Sequence, residues 1–483
     1  MATILGANTL SSGFDVANSV RFNSADSASM EKNAGTPTDN NKWTFSAWVK
    51  RSKLGSLQEI LYGDDGSTTN YCTIRFNDTS DTLTFKNRPG STTSTLTTNA
   101  VFRDVAAWYH LVVVLDTSNG TAANRDIIYI NGVRETSYST ESHSGDGDAC
   151  YINFDGDPIK ISKGRTGSFF DGYMSEVYFI DGQALAADSF GEFDEDSGIW
   201  KPINASGLTF GNNGFYLDFK ASGNLGNDAN GGTDLTESNL AATDQSTDTC
   251  TNNFATLNPL WVSRFDNDGL ISKGNCKGTF TAANADRGYL MTTMGVSAGK
   301  WYWEAKVIDK TRMYIGIAKE SVMAVDEPFY DETTYNALAI NNAGEFYGRY
   351  TGSAIDQFDT SVSTANNDIL GFALDRDNKA LYISKNGTYI NSGDPTSGAS
   401  RTGCLIDELA ASRDLYIPDN EFIFPFMHDP STSGQLDIEF NFGGSPAFAI
   451  SSGNADGNGY GNFEYAVPSG YFSLCTKNLA ESG

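Results

Sequence analysis

Two apolar, β-branched runs flanking a polar loop are the clearest feature of the hydrophobic pattern. Leu111 to Leu115 forms the first run, Asp126 to Ile130 the second, and Asn131-Gly132 follows at once. Such runs predict two antiparallel strands, because β-branched side chains fit a pleated sheet, and Asn-Gly predicts a tight turn after the second. The same unit returns in the second half. Ile369 to Leu374 ends in Asp375, Ala380 to Ser384 follows a short polar loop, and Asn386-Gly387 closes it. A unit used twice predicts two β-sandwiches in series.

Alternation extends the same reading. Trp43, Phe45, Ala47 and Val49 fall on one face of a strand and Trp48 on the other. Further short strands are expected at 19–22, 59–62, 71–76, 82–85, 158–162 and 170–182, with one helical turn at 184–190. Residues 195–260 turn rich in Gly and Asn, with one strand from Gly214 to Phe219, and read as an ordered connector. Trp301, Trp303, Ala305 and Val307 then alternate, followed by strands at 313–318, 423–427 and 436–443. The chain is thus expected to be all-β: a first sandwich over 1–195, a connector over 196–260, a second sandwich over 261–447 and a C-terminal tail over 448–483.

Composition agrees. At 483 residues, the chain exceeds one core. Its 49 glycines, with abundant Ser, Thr, Asn and Asp, are turn chemistry for many short strands. No heptad repeat marks a helical stalk. A net charge of −27 argues against nucleic acid and anionic membrane as partners, since both are polyanions. The six cysteines form no CxxC pair, the N-terminus shows no secretory pattern, and no apolar run approaches the roughly 20 residues of a membrane helix. Synthesis in a cytoplasm with free thiols is the expectation.

Phe45 to Lys50, Trp108 to Asp116, Ile128 to Gly132 and Phe170 to Gly182, taken together, resemble the laminin-G-like, concanavalin-A-like family. That resemblance covers about residues 10–195 and implies a jelly-roll sandwich that binds carbohydrate or protein surfaces. Trp301 to Glu304, Gly371 to Asp375, Asn386-Gly387, Phe424-Pro425-Phe426 and Phe440 to Gly443 resemble a SPRY domain over about 262–447, which implies a protein-recognition module. The ending, from Gly470-Tyr471-Phe472 through Leu474-Cys475-Thr476 to Asn478-Leu479, resembles virion structural proteins of marine bacteriophages that pair these two modules.

Candidate chemistry is sparse. Asp437 and Glu439 share one strand face, as do the carboxyls of the Glu-x-Asp-x-Glu strand in sandwich-fold glycosidases. Gln435 breaks that triad, and alternation with Leu436, Ile438 and Phe440 explains the pair as a solvent-facing polar row. Asp146, Asp148, Asp155 and Asp157 offer hard oxygens for Ca²⁺ in tight turns, although Asx turns use the same residues and the EF-hand spacing is absent. His110, His143 and His428 are scattered, and His110 reads as a structural residue. Tyr330, Tyr335, Tyr347 and Tyr350 lie among polar residues and suit stacking on a sugar or anchoring a protein, with part of the set turned inward by alternation.

The expected function is therefore non-enzymatic. The resemblance implies a virion surface protein, a tail-associated or fibre-type adhesin assembled in the host cytoplasm. Its partners would be other virion proteins and a host-surface glycan or protein, with no membrane insertion, and the adhesin class implies a homo-oligomer, for instance a trimer. Two other readings stay open: a capsid decoration or whisker protein, and a polysaccharide-degrading enzyme.

Overall fold

A computed structural model describes residues 13–262, 270–281, 288–324, 337–351, 354–409, 413–430 and 435–483. The contacts divide the chain into two compact units between Asn252 and Asn253. Both are built from strands. The α-helices among the described residues are Arg413–Tyr416 and Thr476–Ser482.

The first unit stacks two antiparallel eight-stranded sheets. Its front sheet centres on Lys42–Arg51, between Trp108–Asp116 and Gly172–Asp181. The alternation of Lys42–Arg51 is realised. Trp43, Phe45, Ala47 and Val49 enter the core between the sheets, against Leu61, Ile74, Phe85 and Ile159 of the back sheet. Trp48 points the other way, into a second apolar layer with Trp108, Tyr178, Phe190, Trp200 and Phe210. The central strands of the front sheet are therefore buried on both faces, and this is why they read as nearly continuous apolar runs.

Trp200, Ala205, Phe210 and Cys250 of that outer layer come from the stretch expected as a connector. Residues 196–252 belong to the first unit. Phe215–Leu217 pairs with Gly172–Asp181, Thr236–Ser238 with Ser29–Asn33, and Gln245–Ser246 with Ser19–Phe22. Short strands among turn residues give little periodicity, so their membership in the sheets is set by tertiary pairing. One docking contact is specific. The carboxylate of Glu176, at a bulge in Gly172–Asp181 with φ 48°, accepts from the hydroxyls of Tyr178 at 2.7 Å and Tyr216 at 2.8 Å.

The second unit stacks a seven-stranded on an eight-stranded sheet. Trp301, Trp303, Ala305 and Val307 fill its core with Ile315, Ile340, Phe372, Ile438 and Phe440. The unit begins earlier than the expected 261, because Leu257–Val262 pairs with Tyr289–Thr292. The segment 448–483 is part of it. Phe472–Ser473 runs parallel to Lys300–Asp309, and Phe463, Tyr471 and Leu474 are buried in the core. Glu304 fastens this segment. Its buried carboxylate accepts the amides of Glu464 at 3.0 Å and Tyr465 at 2.8 Å.

Both Asn-Gly signals are hairpin turns. Asn131 and Gly132 have φ 47° and 80°, and Asn386 and Gly387 have φ 50° and 81°. Positive φ at both central residues gives the twist that joins two antiparallel strands. Each Asn side chain also accepts a neighbouring strand's amide: His110 N–H at 2.8 Å and Ile369 N–H at 2.9 Å.

Candidate functional site

A cleft of about 380 Å³ opens on the outer side of the first unit's front sheet. Three stretches build it. Tyr129 comes from Asp126–Ile130, on the face opposite the core residue Ile128. Asp188, Glu192 and Phe193 come from the turn 187–189 and the strand Gly191–Phe193. Trp200 and Ile203 come from Trp200–Pro202 and the residue after it. Gly191–Phe193 pairs antiparallel with Trp200–Pro202, placing Phe193 opposite Trp200. Their rings meet edge to face with centroids 4.9 Å apart.

The floor is rigid. A Cβ on Gly132 would lie 2.2 Å from the Trp200 ring, and one on Gly191 would lie 2.5 Å from it, so two glycines form the slot that holds the indole. Its Nε1–H donates to His110 Nδ1 at 3.0 Å. Because an indole N–H can only donate, His110 Nδ1 accepts and the ring proton sits on Nε2. That proton is then donated to Ser46 Oγ at 2.9 Å. Trp48 stacks on the imidazole at 4.8 Å. Burial pushes the His110 pKa down to about 3, so the ring is neutral and serves as a strut.

The lip is polar and acidic. Phe193 is 50 % exposed between Glu192 and Asp194. Lys201 reaches Glu192 at 3.4 Å and Asp194 at 3.1 Å. Hydrogen bonds from Ser197 and then Lys201 hold the Asp194 pKa down at about 2. None of the residues lining the cleft is basic. The arrangement offers an apolar ring face and acceptor-only carboxylates at a fixed floor.

The residues singled out from the sequence lie elsewhere. Tyr347 is a correction. It is buried, not exposed, because both faces of its sheet are covered. Phe346 enters the core and Tyr347 the outer cluster, where its hydroxyl donates to Glu345 at 2.8 Å. Tyr350 lies in Glu345–Thr351, and Tyr330 and Tyr335 fall outside the described residues. The aspartates form no metal cage. Among the described residues, no group of three or more His, Cys, Asp and Glu is arranged to hold a metal ion. Asp146 is exposed. Asp148 accepts the Gly145 amide at 2.6 Å, and Asp155 accepts from Thr36 Oγ1 at 3.2 Å. Burial, with Asp65 and Asp64 nearby, raises the Asp157 pKa. At least Asp148 acts in turn chemistry.

Asp437 and Glu439 do share a face, but they are buried rather than open to solvent. Lys277 stands 3.0 Å from Asp437, and Lys273 pairs with Glu439. His143 lies beside Asp126 and Glu141, and His428 Nδ1 faces the Gly288 carbonyl at 2.9 Å. The cleft itself escaped the sequence reading. Its one signal was Phe193, a large apolar residue inside the acidic run 192–196.

Residues 21–189 match the model of the concanavalin A-like lectin/glucanases superfamily, in its laminin-G type. Residues 300–406 match the SPRY domain model. The chain thus carries a laminin-G-like domain followed by a SPRY domain. No curated protein matches it. Among solved structures, the SPRY domain of human HERC1 is similar at 16 % identity over 38 % of this chain and 96 % of that one, with a TM-score of 0.26. A putative carbohydrate binding protein from Bacteroides ovatus is similar at 18 % identity over 47 % of this chain and 61 % of that one, with a TM-score of 0.31. Mouse laminin alpha1 domains LG4-5 are similar at 8 % identity over 97 % of this chain and all of that one, with a TM-score of 0.30.

Proposed function

We propose that this chain is a non-enzymatic attachment protein of a bacteriophage virion, a tail-associated adhesin whose two sandwiches recognise a host-surface glycan or protein. The observation that carries this reading is the pairing, in one chain, of a lectin-type sandwich over 21–189 with a SPRY domain over 300–406. The phage assignment rests on the resemblance of the ending around Tyr471 to Leu479. Support for a binding rather than a hydrolytic role comes from Asp437 and Glu439, whose lysine partners make them structural ion pairs. Sandwich scaffolds suit such work, since rigid sheets fix the loops and edges that meet a partner.

Mass analysis of purified particles, together with binding of the labelled chain to host cells, tests the proposal. The chain should be found in particles and should be retained on cells those particles infect. Its absence from particles removes the virion reading, and failure to bind any host cell removes the attachment reading.

A further inference from the structure

We infer that the cleft around Phe193 and Trp200 is a glycan subsite that takes a non-anionic pyranose, neutral or amine-bearing, and rejects acidic sugars. This deepens the attachment reading and rests on it.

Three observations converge. First, the Phe193 ring is half exposed at the mouth of a cavity, meeting the Trp200 ring of the outer apolar layer edge to face. Keeping it there leaves part of the apolar-burial gain of a Phe unused for folding, so the exposed part of the ring is available to a ligand. The C–H face of a pyranose is a matching flat apolar surface. Second, Asp188 and Glu192 supply oxygens that only accept hydrogen bonds, and sugar hydroxyls are donors of the kind they require. Third, the local charge is one-sided. Asp188, Glu192, Asp194, Glu195 and Asp196 are gathered in a short stretch, and Lys201 is engaged by Glu192 and Asp194. A carboxylated sugar would meet like charge from Asp188 and Glu192, whereas a protonated amino sugar would be drawn in; Arg134, opposite Tyr129 on the neighbouring strand, has its guanidinium engaged by Asn124 and Ala123. The size of the cleft also falls within the roughly 300–1,000 Å³ of small-molecule sites.

The site is preorganised. Trp200 is held by Gly132, Gly191 and His110 before any ligand arrives, so little ordering remains to oppose binding.

The test uses the full chain on an array of neutral, amino-sugar and uronic- or sialic-acid-terminated oligosaccharides. Titration of the best ligand against wild type, Phe193→Ala and Glu192→Gln then follows. Thermal melts confirm that both exposed-site variants fold. Neutral or amino-bearing glycans should be retained, and acidic ones should bind about tenfold more weakly at low salt, a gap that narrows as salt screens the lip. Phe193→Ala should weaken binding by about tenfold or more. Preference for acidic glycans overturns the inference. Wild-type glycan binding unchanged in both variants removes the cleft as the site and leaves the attachment reading intact. A wild-type chain that retains no glycan also overturns the inference, while binding to whole cells, measured separately, decides the attachment reading.

Discussion

The indole of Trp200 occupies the space beside Gly132 that any other side chain would need: a Cβ there would stand 2.2 Å from the ring. The second unit repeats the relationship, with a Cβ on Gly387 falling 2.6 Å from the Tyr465 ring. In each unit, a hairpin turn whose Asn pairs with the neighbouring strand also seats an aromatic from a segment much later in the chain. The turn's glycine thus has two duties, a positive φ and an empty face.

Gly132→Ala should therefore destabilise the first unit by about 2–4 kcal/mol, through a strained φ and a displaced indole. Gly387→Ala should do the same to the second unit. Hydrogen exchange on the full chain checks both, and faster exchange should be confined to the unit that carries the substitution. Unchanged exchange in both variants would contradict the seating role.

Two buried groups in the first unit give opposite pH dependence. His110 titrates near 3 when folded against the usual 6.5, so between these values the unfolded chain binds a proton that the folded one does not. Its contribution is full above 6.5 and is lost on acidification, at about 1.4 kcal/mol per pH unit. Burial raises the Glu59 pKa from 4.5 to about 7, opposed by Thr73 and Arg75. Its contribution is present below 4.5 and is lost as pH rises to 7. Denaturant melts across pH 4–8 should show the two slopes offsetting each other in wild type. Relative to wild type, His110→Gln should lose stability as pH rises from 4.5 to 6.5. Glu59→Gln should gain over the same window, ending about 1–3 kcal/mol ahead at pH 8.

Glu304 is the fastener of the closing segment. It takes the Glu464 and Tyr465 amides, the Asn441 side chain at 3.1 Å and the Tyr302 hydroxyl at 3.2 Å. Glu304→Ala leaves these donors buried without an acceptor and should cost about 3 kcal/mol or more. Proteolysis should then begin within 448–483, and wild-type resistance there would refute the role.

All six cysteines are buried thiols, none of them in a disulfide. A thiol reagent should modify none in the folded chain and six after denaturation. Burial also raises the Cys72, Cys250 and Cys404 thiols, which favours the unreactive form.

The sandwich cores were legible because burial on a sheet writes itself as alternation, as in Trp43 to Val49 and Trp301 to Val307. The Asn-Gly turns were legible because only such residues accept the required φ. Ser94–Val101 and Tyr138–Ser142 were not, since these paired strands near a sheet edge carry Ser and Thr and contribute mainly Leu96 to the core. Nor was the cleft. Its residues 186–203 follow no period, and the pairing of Trp200 with Gly132 and His110 is a tertiary fact. The expectation of exposed tyrosines failed at Tyr347 because a second apolar layer covers that sheet.

Recovery and weighing of a saccharide after it has been held by the intact chain tests the account most directly. The account predicts that a non-anionic oligosaccharide is retained by wild type, released by Phe193→Ala, and recovered at its original mass. Shortened products, or retention indifferent to Phe193, would contradict it.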